Sequence, residues 1–186
     1  MMGSEVEWSG GRYPSLPTTL ASQLAKVSLS GGYLRPCLVT LDDGTTIDRV
    51  YLAEASQYIR QWGVWPENDR GKHSIPIDRI VSVKDSPSRL PPKFADELYA
   101  AGESGMGYTI FTVCFADGSD IKIGTGNAVD FIDYPAGQSP ASVVKVLPHV
   151  GRNDPNLRNG PRYSWSLYEN RQRSWWARFL SISPQP

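Results

Sequence analysis

Apolar and polar positions alternate most clearly in two stretches, PCLVTLDDGTTIDRVYLA (36–53) and YTIFTVCFADGSDIKIG (108–124). In both, the alternation breaks at an Asp-Gly pair, Asp43-Gly44 and Asp117-Gly118. A period of two marks a half-buried strand, and Asp-Gly accepts the positive φ of a tight turn, so each stretch predicts a β-hairpin. Superimposing the two Asp-Gly pairs sets Leu41 against Phe115, Val39 against Val113 and Ile47 against Ile121. Each hairpin is followed by a segment of the form apolar-Asp-x-Ile, Ile77–Ile80 in the first half and Val129–Ile132 in the second. The pattern predicts a small meander that occurs twice in the chain.

Helical spacing is confined to short pieces. Leu20, Leu24 and Val27 recur at helical intervals after Thr18-Thr19, and Gly31-Gly32 ends that pattern. A second short helix is predicted through about Trp62, and a third, carrying Phe94, Leu98 and Ala101 on one face, ends at Gly102. ASVVKVLPHV and RYSWSLYE read as further strands, the latter with Tyr163, Trp165 and Leu167 facing one way. RQRSWWARFL is a short amphipathic helix or an extended arm. The expected fold is mainly β: two small antiparallel, barrel-like or curled-sheet halves packed as one unit, with a few short peripheral helices. The divisions are an irregular arm (1–17), a first β-rich half with a helical insert (18–90), a second half (91–150) and a C-terminal segment (151–186).

Composition agrees with that picture. Hydrophobic residues make up 40% of the 186 and charged residues 20%, enough apolar matter for a core and too little charge for disorder; 17 Gly and 15 Pro supply turns. Formal charge sums to zero but is uneven, since the C-terminal segment carries Arg152, Arg158, Arg162, Arg171, Arg173 and Arg178 against only Asp154 and Glu169. The N-terminal residues lack a basic stretch followed by an apolar one, and no apolar run approaches the ~20 residues of a membrane helix, so a cytoplasmic chain is expected. Cys37 and Cys114 sit in apolar runs, and their spacing asks for neither a disulfide nor zinc. No cofactor or metal is expected.

Candidate chemistry is sparse. GESGMGYT (102–109) approaches a phosphate-binding P-loop, but Tyr108 stands where the lysine belongs, and the loop follows a helix and opens a strand, the reverse of the required order. The paired carboxylates Asp42/Asp43 and Asp117/Asp120 flank turns, where Asp serves backbone geometry. A hydrolase-type arrangement would use His149 as base, Cys114 as nucleophile and Asp130 as orienting acid. The aromatics are the clearer excess. Trp62 and Trp65, with Tyr58 and Arg60, lie in an insert, and Trp175 and Trp176, with Arg173 and Arg178, lie in the terminal segment. Large rigid apolar area beside planar cations is the composition of a protein-interface hot spot. The function expected is therefore a non-enzymatic protein-binding module, of the class of a bacterial immunity or inhibitor protein. The alternatives are the hydrolase and a nucleic-acid binder using the arginines of the C-terminal segment.

Overall fold

Leu20 and Leu24 lie one helical turn apart, and both are buried on the inner face of α1 (Thr18–Leu24). The structure, a computed structural model, describes residues 11–170. The helix stops at Leu24, well short of the Gly31-Gly32 end that the sequence pattern predicts. Past Leu24 the chain tightens, the N–H groups of Lys26 and Val27 donating to the carbonyls of Gln23 and Leu24, both at 3.0 Å. The Arg35 guanidinium also donates to the carbonyls of Leu24 (3.0 Å) and Val27.

The first predicted hairpin is β1 (Arg35–Leu41) and β2 (Thr46–Glu54), followed by α2 (Ala55–Trp62) and the two-residue strand β3 (His73–Ser74). A 3₁₀ turn at Ile77–Arg79 leads into β4 (Ile80–Asp85), which pairs antiparallel with β1. The second half repeats the plan: helix α3 (Pro92–Ala101), hairpin β5 (Thr109–Phe115) and β6 (Asp120–Thr125), a 3₁₀ turn at Pro140–Ser142, then β7 (Val143–Pro148) antiparallel to β5.

The correspondence reaches single hydrogen bonds. The Leu41 N–H donates to Thr45 O across one turn and the Phe115 N–H to Ser119 O across the other. Asp43 and Asp117 each accept the backbone N–H two residues on, at 2.9 Å. A register shift precedes Leu41↔Ile80 in one meander and Phe115↔Val143 in the other. The counterpart of Ile77–Ile80 is thus Pro140–Val143, and not Val129–Ile132 as the sequence pattern suggests. That segment forms no named strand and joins the two halves instead.

Each meander gains a parallel neighbour whose pairing hydrophobic periodicity does not reveal. β9 (Ser164–Tyr168) lies beside β2, and β8 (Arg158–Asn159) beside β6. The result is two mixed open sheets, ordered β3-β9-β2-β1-β4 and β7-β5-β6-β8. The halves curl, but neither closes into a barrel.

Three apolar clusters hold the fold. α1 packs Leu20 and Leu24 on Val39, Val50 and Val83 of the first sheet, and α3 packs Phe94 and Leu98 on Phe111 and Val113 of the second. The third cluster lies between the halves and is aromatic: Tyr51, Tyr58, Phe131 and Trp165, with Trp62, Trp65, Tyr99 and Tyr163 around it. Segment 128–132 stitches the clusters together, giving Ala128 and Phe131 to the aromatic one and Val129 and Ile132 to that of the second sheet.

Candidate partner-binding groove

The residues singled out in the sequence fall in different places. Tyr58 is fully buried and stacks with Trp62 and Trp65, at 6.1 and 6.4 Å between ring centroids, so it packs the core and presents no contact surface. Trp62 and Trp65 are half-buried at the edge of the same cluster. Trp62 donates its indole N–H to the Tyr33 hydroxyl (2.7 Å), and Trp65 lies under the Arg12 guanidinium and against Tyr13. Arg60 is exposed on α2. Trp175, Trp176, Arg173 and Arg178 lie outside the described residues, as does Arg171.

The hydrolase trio does not converge. Cys114 pairs with Lys145 near the turn end of the second meander, whereas the His149 N–H bonds to Ile110 O at its other end. Four residues of strand separate those points, about 13 Å. Asp130 is buried elsewhere, accepting the hydroxyls of Tyr99 (2.6 Å) and Tyr51 (3.0 Å). Alternation along β5 sets Cys114 on the opposite face from Phe111, Val113 and Phe115, and the segment carrying Asp130 dives between the halves.

His149 meets a serine instead. Its Nδ1 lies 2.9 Å from Ser104 Oγ and its Nε2 3.2 Å from Ala101 O. A ring N–H on Nε2 leaves Nδ1 as acceptor, the arrangement of a base beside a nucleophile. Ser104 Oγ, however, accepts the Ile110 N–H (2.8 Å), and Arg152 binds Ser104 O. The carbonyl-rich C-terminus of α3 lies beside it, where an oxyanion is disfavoured. The pair closes the loop between α3 and β5.

A groove of about 1320 Å³ opens between the two sheets. One wall is the first sheet, with Leu41, Ile47, Ile75 and Trp165; the other is the second, with Tyr108, Ile110, Gly124 and Leu157. The parallel pairing of β3 with β9 builds its mouth, because His73 lies opposite Ser164 and the residues just before them, Arg70 and Arg162, come to the same end. Both arginines and His73 are exposed. Neither arginine meets a carboxylate among the described residues.

Three other charges at the groove are already occupied. Asp48 accepts the Ser86 and Ser88 hydroxyls, both at 2.6 Å. Lys72 turns back into the aromatic cluster, its ammonium 4.3 Å from the centre of the Trp62 ring, and donates to the Tyr58 hydroxyl (3.0 Å). Burial holds the Lys72 pKa below the usual lysine value, against the pull of Asp69. Arg79, also on the lining, is held by Asp42 and Asp43.

Compared with known proteins, the chain matches no family model, no curated protein and no solved structure.

Among the described residues, no three His, Cys, Asp or Glu side chains gather as metal ligands would, and no helix is long and apolar enough to cross a membrane. Sequence reading missed Arg70, His73 and Arg162 as a group. The one signal was the run of charge in ENDRGKHS beside an alternating strand, and only strand pairing brings the two together.

Proposed function

We propose that this chain is a non-enzymatic protein-binding module whose partner seats in the groove between the sheets. The observation that carries the reading is the pairing of an open apolar groove with Arg70 and Arg162, exposed at its mouth without carboxylate partners. Its volume exceeds the ~300–1,000 Å³ of small-molecule sites, which favours a segment of another macromolecule. Half-buried aromatics beside planar cations have hot-spot composition, with Tyr163 and Tyr108 in the place first expected of the tryptophans. Trp62 and Trp65 support the groove from behind through the cluster that holds Lys72. An immunity or inhibitor protein, which acts by occupying another protein, is one class such a module serves.

A groove-filling variant tests the reading. Gly126 lines the groove, and a Cβ there meets nothing closer than the Tyr163 hydroxyl at 4.0 Å, so Gly126→Trp adds bulk at little cost to the backbone. Random peptides displayed against the immobilised full chain should yield binders, and Gly126→Trp should reduce their affinity about tenfold or more while leaving the melting temperature in place. Failure to enrich any peptide, or binders indifferent to Gly126→Trp, would overturn the proposal.

A further inference from the structure

We infer that the groove takes an acidic, partly apolar segment of a partner protein, with the partner's carboxylates bound by Arg70 and Arg162. The inference rests on the groove being the partner site and adds the chemistry of the occupant. Charge complementarity carries it. The guanidinium fork of an arginine matches a carboxylate in a bidentate pair, and both arginines are exposed at one mouth, with the exposed His73 beside them on the lining. Among the described residues Asp48 is the only carboxylate on the lining, and it accepts two serine hydroxyls and forms no ion pair with either arginine.

The floor asks for apolar side chains. Ile75 of the first sheet and Ile110 and Leu157 of the second line it, so an occupant carrying only charge would leave that surface wet. The segment that fits places acidic groups at the mouth and aliphatic or aromatic groups inside. Residues 171–186 of the chain itself have the wrong charge for this, since they contain Arg171, Arg173 and Arg178 and no Asp or Glu. Nucleic acid is disfavoured by the same count, because a few free cations on a chain with no net charge give little of the continuous basic track that a phosphate backbone requires.

Two degenerate peptide pools, alike except that one carries Asp and Glu where the other carries Asn and Gln, test the inference on the full-length chain. The acidic pool should be retained about tenfold more strongly, with retention falling as salt rises from about 0.05 to 0.3 M. The double variant Arg70→Ala/Arg162→Ala should abolish the difference, whereas Lys26→Ala, an exposed cation away from the groove lining, should not; circular-dichroism melts confirm that each variant folds. Equal retention of the two pools, or a preference that survives the double variant, sinks the inference. So does tighter binding of a single-stranded oligonucleotide to the same arginines. A Glu5→Gln/Glu7→Gln variant that gains tenfold in acidic-pool affinity would show the chain's own N-terminal residues to be the occupant, and would equally overturn it. Should random peptides bind in a Gly126→Trp-sensitive way while the pools show no charge preference, the groove stands as the partner site and only the acidic occupant fails.

Discussion

Asp130 is a carboxylate with no access to water, set among the hydroxyls of Tyr51 and Tyr99. Burial raises its pKa, and the neighbouring Ser30, Tyr99 and Tyr51 hydroxyls and the charge of Arg89 only partly oppose that. A carboxyl whose folded pKa lies above its unfolded value binds more protons in the native state. Stability therefore falls as pH rises from about 4, the unfolded value, through the raised folded value. Asp130→Asn keeps an oxygen for the two tyrosines and removes the ionisation. From about pH 4 to 7 the urea midpoint of the native chain should fall relative to that of Asp130→Asn, the difference in slope being the contribution of Asp130. An unchanged slope would mean that Asp130 does not titrate in this range. Arg89, likewise buried, is tied to Asp85 (2.8 Å) and Ser30 (2.8 Å), so the polar joint between the halves has its own internal partners.

At the scale of the element, the hairpin turns carry the plan shared by the halves. Gly44 and Gly118 have φ of +82° and +86°, and a Cβ at either would meet no atom within 4 Å. Their need for glycine is thus conformational alone. Gly44→Ala and Gly118→Ala should each cost about 1–2 kcal/mol, the left-handed penalty of an L-residue, read as equal shifts in chemical-denaturation midpoint. Markedly unequal costs would show that the two turns are not equivalent. The free edges follow a shared plan too. Val81 on β4 and Val144 on β7 are exposed at matching positions, with Lys84 and Lys145 nearby on the same strands, charges that discourage edge-to-edge pairing.

For the whole molecule, the decisive element is segment 128–132, which inserts Phe131 into the aromatic cluster at 4.6 Å from the Tyr51 ring. Phe131→Ala should cost about 3–5 kcal/mol as a large-to-small core change. The loss should also loosen the groove, because Tyr163 packs on Phe131 and lines it. Fluorescence and far-UV transitions should coincide in the native chain and separate in the variant if this joint couples the halves. Coincident transitions with a small loss of stability would place the coupling elsewhere.

What the sequence by itself determined is local. Alternation around Asp-Gly placed both hairpins, with Leu41 and Phe115 facing their cores, and the Tyr163-Trp165-Leu167 alternation placed β9, because period and turn chemistry act between near neighbours. Tertiary structure decided the rest. Parallel pairing links Ser164 to His73 and Val50 across long stretches of chain and leaves no periodic trace, so the groove mouth at Arg70 and Arg162 was not legible. Composition could not tell a surface aromatic from one braced by its neighbours, which is why Tyr58, which lies in the core, reads as a contact residue in the sequence. Asp130 carried the same ambiguity. Its four-residue pattern matched Ile77–Ile80, but a carboxylate becomes a joint between halves only when long-range packing brings Tyr51 and Tyr99 to it.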